Sequence, residues 1–438
     1  MPQTLETPLE VRIRDKTARV GIIGLGYVGL PLAVEAARTG FSVLGVDVDA
    51  ARTATVNRGE SYIADVRQED IGRLVQAERL AATTRYDALG SVDVIIICVP
   101  TPLTKSKEPD LSYITDAAKA CVPVLRRGHL VILESTTYPG TTVEVVKPAL
   151  EASGLRAGSD FHLAFSPERI DPGNKTHAFR EIPKVVGGLT PACSRAAQMF
   201  YEQVVRRVVV VSSPTVAEMT KVYENVFRNV NIALVNEMTL LCNRMGLDVW
   251  EVIDAAATKP YGFMPFYPGP GVGGHCIPVD PYYLSAKARE YDFHARFIEL
   301  AATVNDSMPY YVLSRVTEAL GGRGKTLRGA RILVLGVAYK KDTADARMSP
   351  SLKIIELLEK PGAKVTYHDP FIPSITLANP GVLESVPLTD EVLAAVDCVI
   401  LATDHSAIDY KRIVEKAPLI VDTRNRLRGN GGSHVFRL

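Results

Sequence analysis

Apolar residues in the first half of the chain alternate between short continuous runs and stretches with helical spacing. From Ala18, the sequence ARVGIIGLGYVGLPLAVEAARTGFSVLGVDVD contains an apolar run, a glycine turn, a helical stretch ending at Gly40, and a second apolar run closing on Asp47. This order predicts a strand, a helix and another strand. VDVIIICVP, a helical stretch over residues 112–125, and HLVILES continue the alternation. Residues 18–212 are therefore predicted to form a doubly wound domain around a parallel sheet.

The pattern changes at Pro214. PTVAEMTKVYENVFRNVNIALVNEMTLLCNRMG has helical apolar spacing and no internal proline or glycine, which predicts one helix on the order of 45 Å long. More helix is predicted from about Pro281 to Leu320. Residues 213–325 are therefore predicted to form a central helical domain.

A third block follows GGRGKTLRG, whose glycines and basic residues are typical of a linker. ARILVLGVAY, AVDCVILATDH and APLIVDTRN resume the strand and helix alternation, so residues 326–438 are predicted to form a second, smaller α/β domain. The predicted fold class is α/β, with two Rossmann-like doubly wound parallel-sheet domains joined by a central all-helical region. The similar layout of the two α/β domains predicts a loose structural duplication. Residues 1–17 are predicted to be an N-terminal tail, for which disorder is one interpretation.

Charge and hydropathy limit the classes of partner. The chain has 50 basic and 49 acidic side chains, a net charge of +1, so no overall field attracts nucleic acid or an anionic membrane. The longest apolar runs are about half the roughly 20 residues that a membrane-spanning helix needs. The first residues lack the apolar core of a signal peptide. We therefore expect a cytoplasmic protein that binds neither nucleic acid nor membrane.

Six cysteines are spread along the chain without a CxxC or a short Cys/His cluster, so neither a metal site nor a disulfide framework is expected. Cys98 and Cys398 lie in strand-like runs, where a buried thiol is the ordinary interpretation. Cys276 differs, because it follows the run FYPGPGVGGH, in which prolines and glycines exclude regular structure. A packed loop is predicted to present this thiol, and basic or dipolar neighbours would activate it. A buried, inert cysteine is the alternative.

The glycine turn has the features of a dinucleotide site. Gly24, Gly26 and Gly29 form a GxGxxG between strand and helix, and Asp47 follows Gly29 by 18 residues at the end of the next strand. The glycines allow a tight turn, a close approach of the pyrophosphate and helix packing, while the carboxylate accepts from the ribose hydroxyls of NAD. A glycine turn that merely closes a corner is the alternative. The segments at 98–102 and 134–136 follow later strands and are predicted to line the nicotinamide side.

Three further polar residues are candidates for chemistry. Lys221 and Asn225 stand one helical turn apart among apolar neighbours, so they share a face that is either an interior site or a solvated surface. Glu168 follows the apolar run FHLAF and is either a general base or an ion-pair partner of Arg169. NAD together with a cysteine nucleophile favours oxidation of an aldehyde to an acid, because a thiohemiacetal can lose a second hydride to give a thioester. Two hydrides require two NAD⁺ per substrate.

Ordered motifs over nearly the whole chain are similar to one family. GLGYVGLP, ESTxxPGTT, SPER, EMTKVYENxFRxxNIAxxNE, PGPGVGGHCIPVDPYYL and AYKKDTADxRxSP, in this order, resemble the UDP-glucose/GDP-mannose dehydrogenases. The resemblance implies that Cys276 is the nucleophile, that Lys221 and Asn225 steady the oxyanion, and that Asp280 assists Lys221 and water. It also implies that Glu168 serves thioester hydrolysis and that Thr136 holds a water. The long helix is implied to build a homodimer or a higher homo-oligomer.

The resemblance also implies the binding residues. The cofactor contacts it implies are Gly24, Gly26, Tyr27, Val28, Gly29, Asp47, Arg52, Pro100, Thr101, Thr136 and Arg347. The substrate contacts it implies are Glu168, Arg169, Lys221, Asn225, Tyr267, Gly269, Gly271, Gly273, Tyr339, Lys340 and Arg424, with Tyr267 to Gly273 around the pyrophosphate of a UDP-sugar.

The loop before Cys276 bears on which sugar is oxidised. Family members that act on UDP-glucose usually carry a serine beside the cysteine and an arginine some sixteen residues before it, whereas this chain has His275 and Pro260. TKPYGFMPFYPGPGVGGHCIPVDPYYL resembles instead the branch that acts on UDP-N-acetylhexosamines, and the expected reaction is UDP-GlcNAc to UDP-GlcNAcA for surface polysaccharide. UDP-ManNAc, UDP-GalNAc, UDP-glucose and GDP-mannose remain alternatives, because one or two side chains distinguish such sugars.

Two other functions are open at this stage. A non-catalytic nucleotide-sugar binder would not need Cys276, Lys221, Asn225 and Asp280 together. A two-electron β-hydroxyacid dehydrogenase would need neither Cys276 nor a third α/β domain.

Overall fold

The computed structural model describes residues 7–63, 65–104, 109–170, 177–274, 276–378, 381–430 and 432–438. The chain divides into two compact units. The first extends to Glu224 and includes Tyr282–Phe293, and the second comprises Asn225–Pro281 and His294–Leu438. The domain boundaries predicted from sequence lie where the apolar pattern changes. The two observed units are divided differently, because residues of the predicted central region belong partly to the first unit and partly to the second.

The first unit is built on eight strands. They are β1 (Arg19–Ile23), β2 (Ser42–Val46), β3 (Leu80–Thr83), β4 (Val94–Ile97), β5 (Leu130–Leu133), β6 (His162–Phe165), β7 (Lys184–Gly188) and β8 (Val208–Val211). They form one sheet in the order β3-β2-β1-β4-β5-β6-β7-β8. β1 to β6 are parallel, as expected for a doubly wound domain. β7 pairs antiparallel with β6 and parallel with β8, so the last two strands depart from the predicted all-parallel sheet.

Helices connect or cover these strands. They are α1 (Pro8–Arg14), α2 (Gly29–Arg38), α3 (Ala50–Asn57), α4 (Gln68–Gln76), α5 (Ser112–Cys121), α6 (Lys147–Glu151) and α7 (Pro191–Val204), with a π-helical turn at Thr142–Val146 directly before α6. Successive side chains along a strand point to opposite faces of the sheet, and apolar side chains are buried on both faces. In β4, Val94 and Ile96 belong to one apolar cluster, and Ile95 and Ile97 belong to another.

The interpretation of residues 1–17 as a tail is wrong for α1. Thr7 and Glu10 form a capping box at the start of this helix, which satisfies two backbone N–H groups. Leu9 and Ile13 stand one helical turn apart and are buried in the same apolar cluster as Phe200 of α7. Two buried apolar residues one turn apart, with the apolar Val11 between them, give too weak a helical signal to be recognised in the sequence.

The predicted helical region contains α8 (Pro214–Met245), α9 (Val249–Ala257), α10 (Asp280–Arg289) and α11 (Arg296–Gly321). α8 has 32 residues and is about 48 Å long at 1.5 Å per residue, which confirms the prediction of one long helix. The further helix predicted from about Pro281 to Leu320 is present as two helices, α10 and α11.

The second unit contains the other parallel sheet. Its elements are β9 (Arg331–Leu335), α12 (Pro350–Glu359), β10 (Lys364–His368), β11 (Ser374–Thr376), β12 (Val382–Glu384), α13 (Asp390–Ala395), β13 (Cys398–Leu401), α14 (Tyr410–Lys416), β14 (Ile420–Asp422) and β15 (Val435–Arg437). Five strands are parallel in the order β10-β9-β13-β14-β15, and β11 and β12 form a small antiparallel pair. The α/β fold with two doubly wound sheets and a helical region between them in sequence is thereby confirmed.

The two sheets share a local design, as the predicted duplication requires. Gly24 after β1 and Gly336 after β9 both have positive φ, of 89° and 81°. The carboxylates of Asp47 after β2 and Asp369 after β10 accept backbone N–H groups from the residues that follow these glycines. In the second unit, Asp369 is also paired with the buried ring of His405 at 3.0 Å.

Candidate active site

The glycine turn between β1 and α2 has the geometry of a dinucleotide cradle. A Cβ on Gly24 would lie 2.6 Å from the carbonyl oxygen of Cys98, and a Cβ on Gly29 would lie 1.8 Å from the carbonyl oxygen of Gly24. These two glycines are therefore required by packing within the protein. A Cβ on Gly26 would meet no atom within 4 Å. Gly26 thus faces open space, as the glycine that a pyrophosphate approaches should.

Asp47 fixes the other side of the cradle. Its carboxylate is buried and accepts the backbone N–H of Leu25 at 2.8 Å and that of Asp49 at 2.9 Å. Arg52 lies 3.6 Å from the same carboxylate, and its guanidinium lies over the ring of Tyr62. The predicted contacts Asp47 and Arg52 therefore lie together at the end of β2.

These residues fit NAD. Val28 precedes α2 without capping it through its side chain, so the helix N-terminus can face an anion. Tyr27 is about half exposed beside it. The carboxylate of Asp47 can accept from ribose hydroxyls and would repel a 2′-phosphate. NAD, when bound here, supplies the hydride acceptor for alcohol and aldehyde oxidation.

The predicted nicotinamide-side residues follow β4 and β5. The hydroxyl of Tyr283 donates to the carbonyl oxygen of Thr101, next to Pro100. Ser135 donates to the carbonyl oxygen of Val99 at 2.8 Å, which links the loops after the two strands. Thr136 is half-buried and directly follows this link.

One of the two interpretations of Glu168, an ion pair with the side chain of Arg169, is wrong. One of its carboxylate oxygens accepts the backbone N–H groups of Arg169 and Ile170, at 2.6 and 2.7 Å. The other lies 3.0 Å from the ammonium of Lys184. The guanidinium of Arg169 instead pairs with Glu224 at 2.7 Å.

Lys184 was not recognised as a candidate from the sequence. It is the first residue of β7, it is 3% exposed, and its ammonium contacts both Glu168 and Glu134. Glu134 also accepts from the hydroxyl of Tyr201. A lysine that begins an apolar strand carries no local sign of a buried partner, and Glu134 lies 50 residues away in the sequence.

Two of the predicted catalytic residues, Asn225 on α8 and Asp280 on α10, are in direct contact. Asn225 is fully buried and donates its side-chain N–H to the carboxylate of Asp280. Its side-chain oxygen accepts from Arg228 at 2.8 Å, a contact that the sequence analysis missed although Arg228 is one turn further along α8. Lys221, one turn before Asn225, is 7% exposed. The interpretation of this face as a solvated surface is therefore wrong.

Cys276 is the exposed cysteine of the chain, and the other five are buried. Its carbonyl oxygen accepts the backbone N–H groups of Val279 and Asp280, at 3.2 and 2.8 Å. The thiol is therefore presented one turn before α10, which begins at Asp280 rather than after Pro281. His275, noted beside it in the sequence, lies outside the described residues.

The glycines before Cys276 pack against predicted substrate residues of the second unit. A Cβ on Gly269 would lie 2.7 Å from the guanidinium of Arg424, and a Cβ on Gly273 would lie 2.8 Å from the Cβ of Tyr339. Gly271 has a φ of 134°. The loop therefore needs glycine for its close approach to Arg424 and Tyr339, which the sequence alone did not place beside it.

A chain of amides holds the same loop. The backbone N–H of Gly269 donates to the side-chain oxygen of Asn236 at 3.1 Å. Asn236 donates to Asn305 at 2.9 Å, and Asn305 donates to the side-chain oxygen of Asn229 at 2.8 Å. These three buried asparagines join α8 and α11 to the loop. Sequence reasoning missed them because asparagine in a helix has no spacing that marks it as buried.

The remaining predicted binding residues have contacts within the second unit. Tyr267 stacks on Trp250 and donates to Asp254 at 2.9 Å. Arg347 pairs with Asp345 at 2.8 Å. Lys340 is half-buried and follows Tyr339.

The described part of the chain contains no group of three or more His, Cys, Asp or Glu side chains that could hold a metal ion. Across the same residues, no helix is both long and apolar enough to cross a membrane.

The parallel sheet and the glycine cradle with Asp47 define an NAD-binding dehydrogenase. Three models of the UDP-glucose/GDP-mannose dehydrogenase family match the chain: the NAD-binding domain over residues 18–205, the central domain over 215–307 and the UDP-binding domain over 333–429. The protein belongs to this family and is an NAD-dependent nucleotide-sugar dehydrogenase.

Individual relatives agree with this assignment. The chain is 39% identical to a UDP-N-acetyl-D-glucosamine 6-dehydrogenase from Pseudomonas aeruginosa over 89% of this chain and 91% of that protein. It is 37% identical to an NDP-N-acetyl-D-galactosaminuronic acid dehydrogenase from Ralstonia nicotianae over 92% and 95%. A solved UDP-D-ManNAc dehydrogenase from Pyrococcus horikoshii is similar in structure, with a TM-score of 0.87 and 34% identity over 96% of this chain and 98% of that one.

Proposed function

We propose that the protein oxidises the C6 hydroxymethyl group of a UDP-N-acetylhexosamine to a carboxylate, and that its substrate is UDP-GlcNAc. The loop before Cys276, with Pro260 and His275 in place of the arginine and serine typical of enzymes for UDP-glucose, supports an N-acetylated sugar. The similarity to a UDP-N-acetyl-D-glucosamine 6-dehydrogenase supports the gluco epimer. The product, UDP-GlcNAcA, would serve the synthesis of surface polysaccharide.

The observation that carries this proposal is the exposed thiol of Cys276 at the end of a glycine loop. In the proposed mechanism the thiolate sulfur bonds to the aldehyde carbon formed by the first oxidation, which gives a thiohemiacetal. Loss of the second hydride from that carbon gives a thioester on Cys276. Water then bonds to the carbonyl carbon, the carbon–sulfur bond breaks, and the thiolate is regenerated. Two NAD⁺ are reduced for each sugar.

Asn225 is arranged to stabilise the oxyanion in these steps. An amide side chain has two N–H donors and one acceptor oxygen. Arg228 occupies the oxygen and Asp280 takes one donor, which leaves the second N–H for a ligand oxygen. Fixed donors of this kind stabilise charge that develops during reaction. We propose that Lys221 provides the companion positive charge and that Asp280 assists it.

Glu168 is the proposed base for hydrolysis of the thioester, and Thr136 is proposed to hold the water. Tyr339, Lys340 and Arg424, with Tyr267 to Gly273, are proposed to bind the UDP moiety, and Arg347 to contact the cofactor. The approach of the glycine loop to Tyr339 and Arg424 supports the substrate part of this assignment.

We also propose that α8 forms a homodimer interface. Seven of its exposed apolar side chains are spaced by three, four or seven residues and therefore share one face of the helix. They are Val216, Met219, Tyr223, Phe227, Leu234, Leu241 and Met245. Light scattering after size exclusion should give a dimer for the natural protein and a monomer for Leu234→Arg/Leu241→Arg. Thr317→Arg, on an exposed position of α11, is the matched control and should stay dimeric.

Product analysis tests the function. The protein is incubated with NAD⁺ and, separately, UDP-GlcNAc, UDP-ManNAc, UDP-GalNAc, UDP-glucose and GDP-mannose, and each product is identified by mass spectrometry. We expect a uronic acid from UDP-GlcNAc at a kcat/KM at least tenfold above the others, and none with Cys276→Ser. A preference for another sugar would refute the substrate. A carboxylate product from Cys276→Ser at the natural rate would refute the mechanism.

A further inference from the structure

Lys184 holds two buried carboxylates in the first unit. Its ammonium lies 2.9 Å from Glu134, 3.0 Å from Glu168 and 3.4 Å from the carbonyl oxygen of Pro167. An ammonium has three hydrogens, so these acceptors account for all of them. A lysine this deeply buried and fully satisfied has a fixed position.

The cluster contains two carboxylates and one ammonium, so the interior would hold a net negative charge if both carboxylates were ionised. An uncompensated buried charge is costly. The other titratable groups that face the cluster are Tyr201 on α7 and Cys98 after β4, and burial raises the pKa of both, so they stay neutral. The guanidinium of Arg169 pairs with Glu224.

The two carboxylates differ in how well their oxygens are paired. Glu168 accepts two backbone N–H groups on one oxygen and the ammonium of Lys184 on the other. Glu134 accepts from Tyr201 and Lys184 on one oxygen, while its other oxygen is buried without a hydrogen-bond partner among the described residues. Burial raises the pKa of Glu134, although Lys184 opposes this. Lys184 therefore completes the set of donors to Glu168 and fixes the direction of its carboxylate.

We propose that Lys184 is a positioning residue that holds Glu168 oriented for hydrolysis of the thioester, with Glu134 as the second member of the same buried cluster. This inference rests on the proposed function of Glu168. In the step concerned, the water oxygen bonds to the thioester carbonyl carbon and one water proton passes to Glu168. The carbon–sulfur bond breaks and its electron pair leaves with the sulfur of Cys276. Lys184 touches neither water nor substrate in this scheme.

Removal of the ammonium should slow hydrolysis of the thioester. Lys184→Met leaves one oxygen of Glu168 without its partner, so the carboxylate is no longer held in place and decay of the acyl adduct should slow at least about tenfold. Lys184→Arg keeps a cation at this position, and its decay rate should stay within about threefold of the natural one.

The test measures hydrolysis directly. Each variant is mixed with NAD⁺ and UDP-GlcNAc, or with whichever UDP-sugar gives turnover, and quenched in acid at successive times. Intact-mass spectrometry then follows both the formation and the decay of the acyl adduct on Cys276. Slower decay in Lys184→Met, with the adduct formed at the natural rate and with decay restored in Lys184→Arg, supports the inference, and decay at the natural rate in Lys184→Met overturns it. A lysine with only a structural role would lower the amount of active protein without changing the decay rate of the adduct that forms.

Two controls separate possible failures. Glu168→Gln should accumulate the adduct, and if this variant hydrolyses it at the natural rate, the proposed role of Glu168 fails rather than that of Lys184. If Lys184→Met does not fold, the decay is measured in Lys184→Met/Glu134→Gln, which also replaces the second carboxylate that Lys184 contacts. The adduct should again decay at least about tenfold more slowly, and decay at the natural rate in the double variant overturns the inference.

Discussion

Substitution by alanine should lower stability at one glycine of the cradle, Gly29, and NAD⁺ affinity at another, Gly26. A methyl group at Gly29 would lie 1.8 Å from the carbonyl oxygen of Gly24 and 3.2 Å from the Cβ of Cys98. Both neighbours are held by the sheet, so α2 must move by more than 1 Å. Overpacking of a rigid interior typically costs about 1–3 kcal/mol, and a backbone clash belongs at the upper end. At roughly 2–4 °C per kcal/mol for a domain of this size, Gly29→Ala should lower the Tm by about 6–12 °C.

Gly26→Ala is the matched control. Its methyl group would meet nothing in the protein within 4 Å, and its φ is not positive, so the Tm should change by no more than about 2 °C. The methyl group would stand where the pyrophosphate must approach, so the Kd for NAD⁺ should rise at least about tenfold, or about 1.4 kcal/mol. Thermal unfolding and calorimetric titration measure the two quantities. Equal Tm values for the two variants, or unchanged NAD⁺ affinity in Gly26→Ala, would refute this account of the cradle.

Three further changes test other parts of the structure. Burial, reinforced by the charge of Arg126, lowers the pKa of His129 to about 4 in the folded protein. Below pH 6.5 this histidine is therefore protonated in the unfolded state but not in the folded one, and the free energy of unfolding falls as the pH drops from 6.5 towards 4. Urea unfolding at pH 6.5 and pH 5 should show a loss of about 2 kcal/mol through this group, and His129→Gln should show a smaller loss than the natural protein. Asn236→Ala leaves the backbone N–H of Gly269 without its acceptor, so the free energy of unfolding in urea should fall by about 1–3 kcal/mol. The KM for the UDP-sugar should also rise, and an unchanged KM would show that the chain of amides does not hold the loop. Tyr267→Phe keeps the stacking on Trp250 but loses the hydroxyl, so it should change the Tm by less than about 3 °C, and a larger loss would contradict the exposed position of this residue.

The features that could be predicted from sequence are those with a strong local pattern. The turn from Gly24 to Gly29 and the carboxylate of Asp47 lie within one strand, helix and strand, so their spacing defines the cradle. α8 was predicted nearly to the residue because it contains no internal glycine or proline and has apolar side chains at helical spacing. Cys276 was predicted to be exposed because prolines and glycines exclude regular structure before it.

The features that could not be predicted depend on contacts between distant segments. Lys184 meets Glu134 across 50 residues, and neither has a local pattern that indicates the partner. The reversed direction of β7 depends on how the chain returns to the sheet rather than on the composition of that strand. The short helix α1 is stabilised by packing against α7, which lies far along the sequence, and its two buried apolar residues alone give too weak a periodic signal.

The central claim is that one enzyme carries out both oxidations through Cys276. The measurement that tests it most directly is the number of NADH molecules formed for each UDP-GlcNAc consumed, with the sugar limiting and NAD⁺ in excess. The account predicts two NADH per sugar, because the thioester on Cys276 requires a second hydride to leave. A yield of one NADH per sugar would mean that the reaction stops at the aldehyde and would contradict the covalent mechanism.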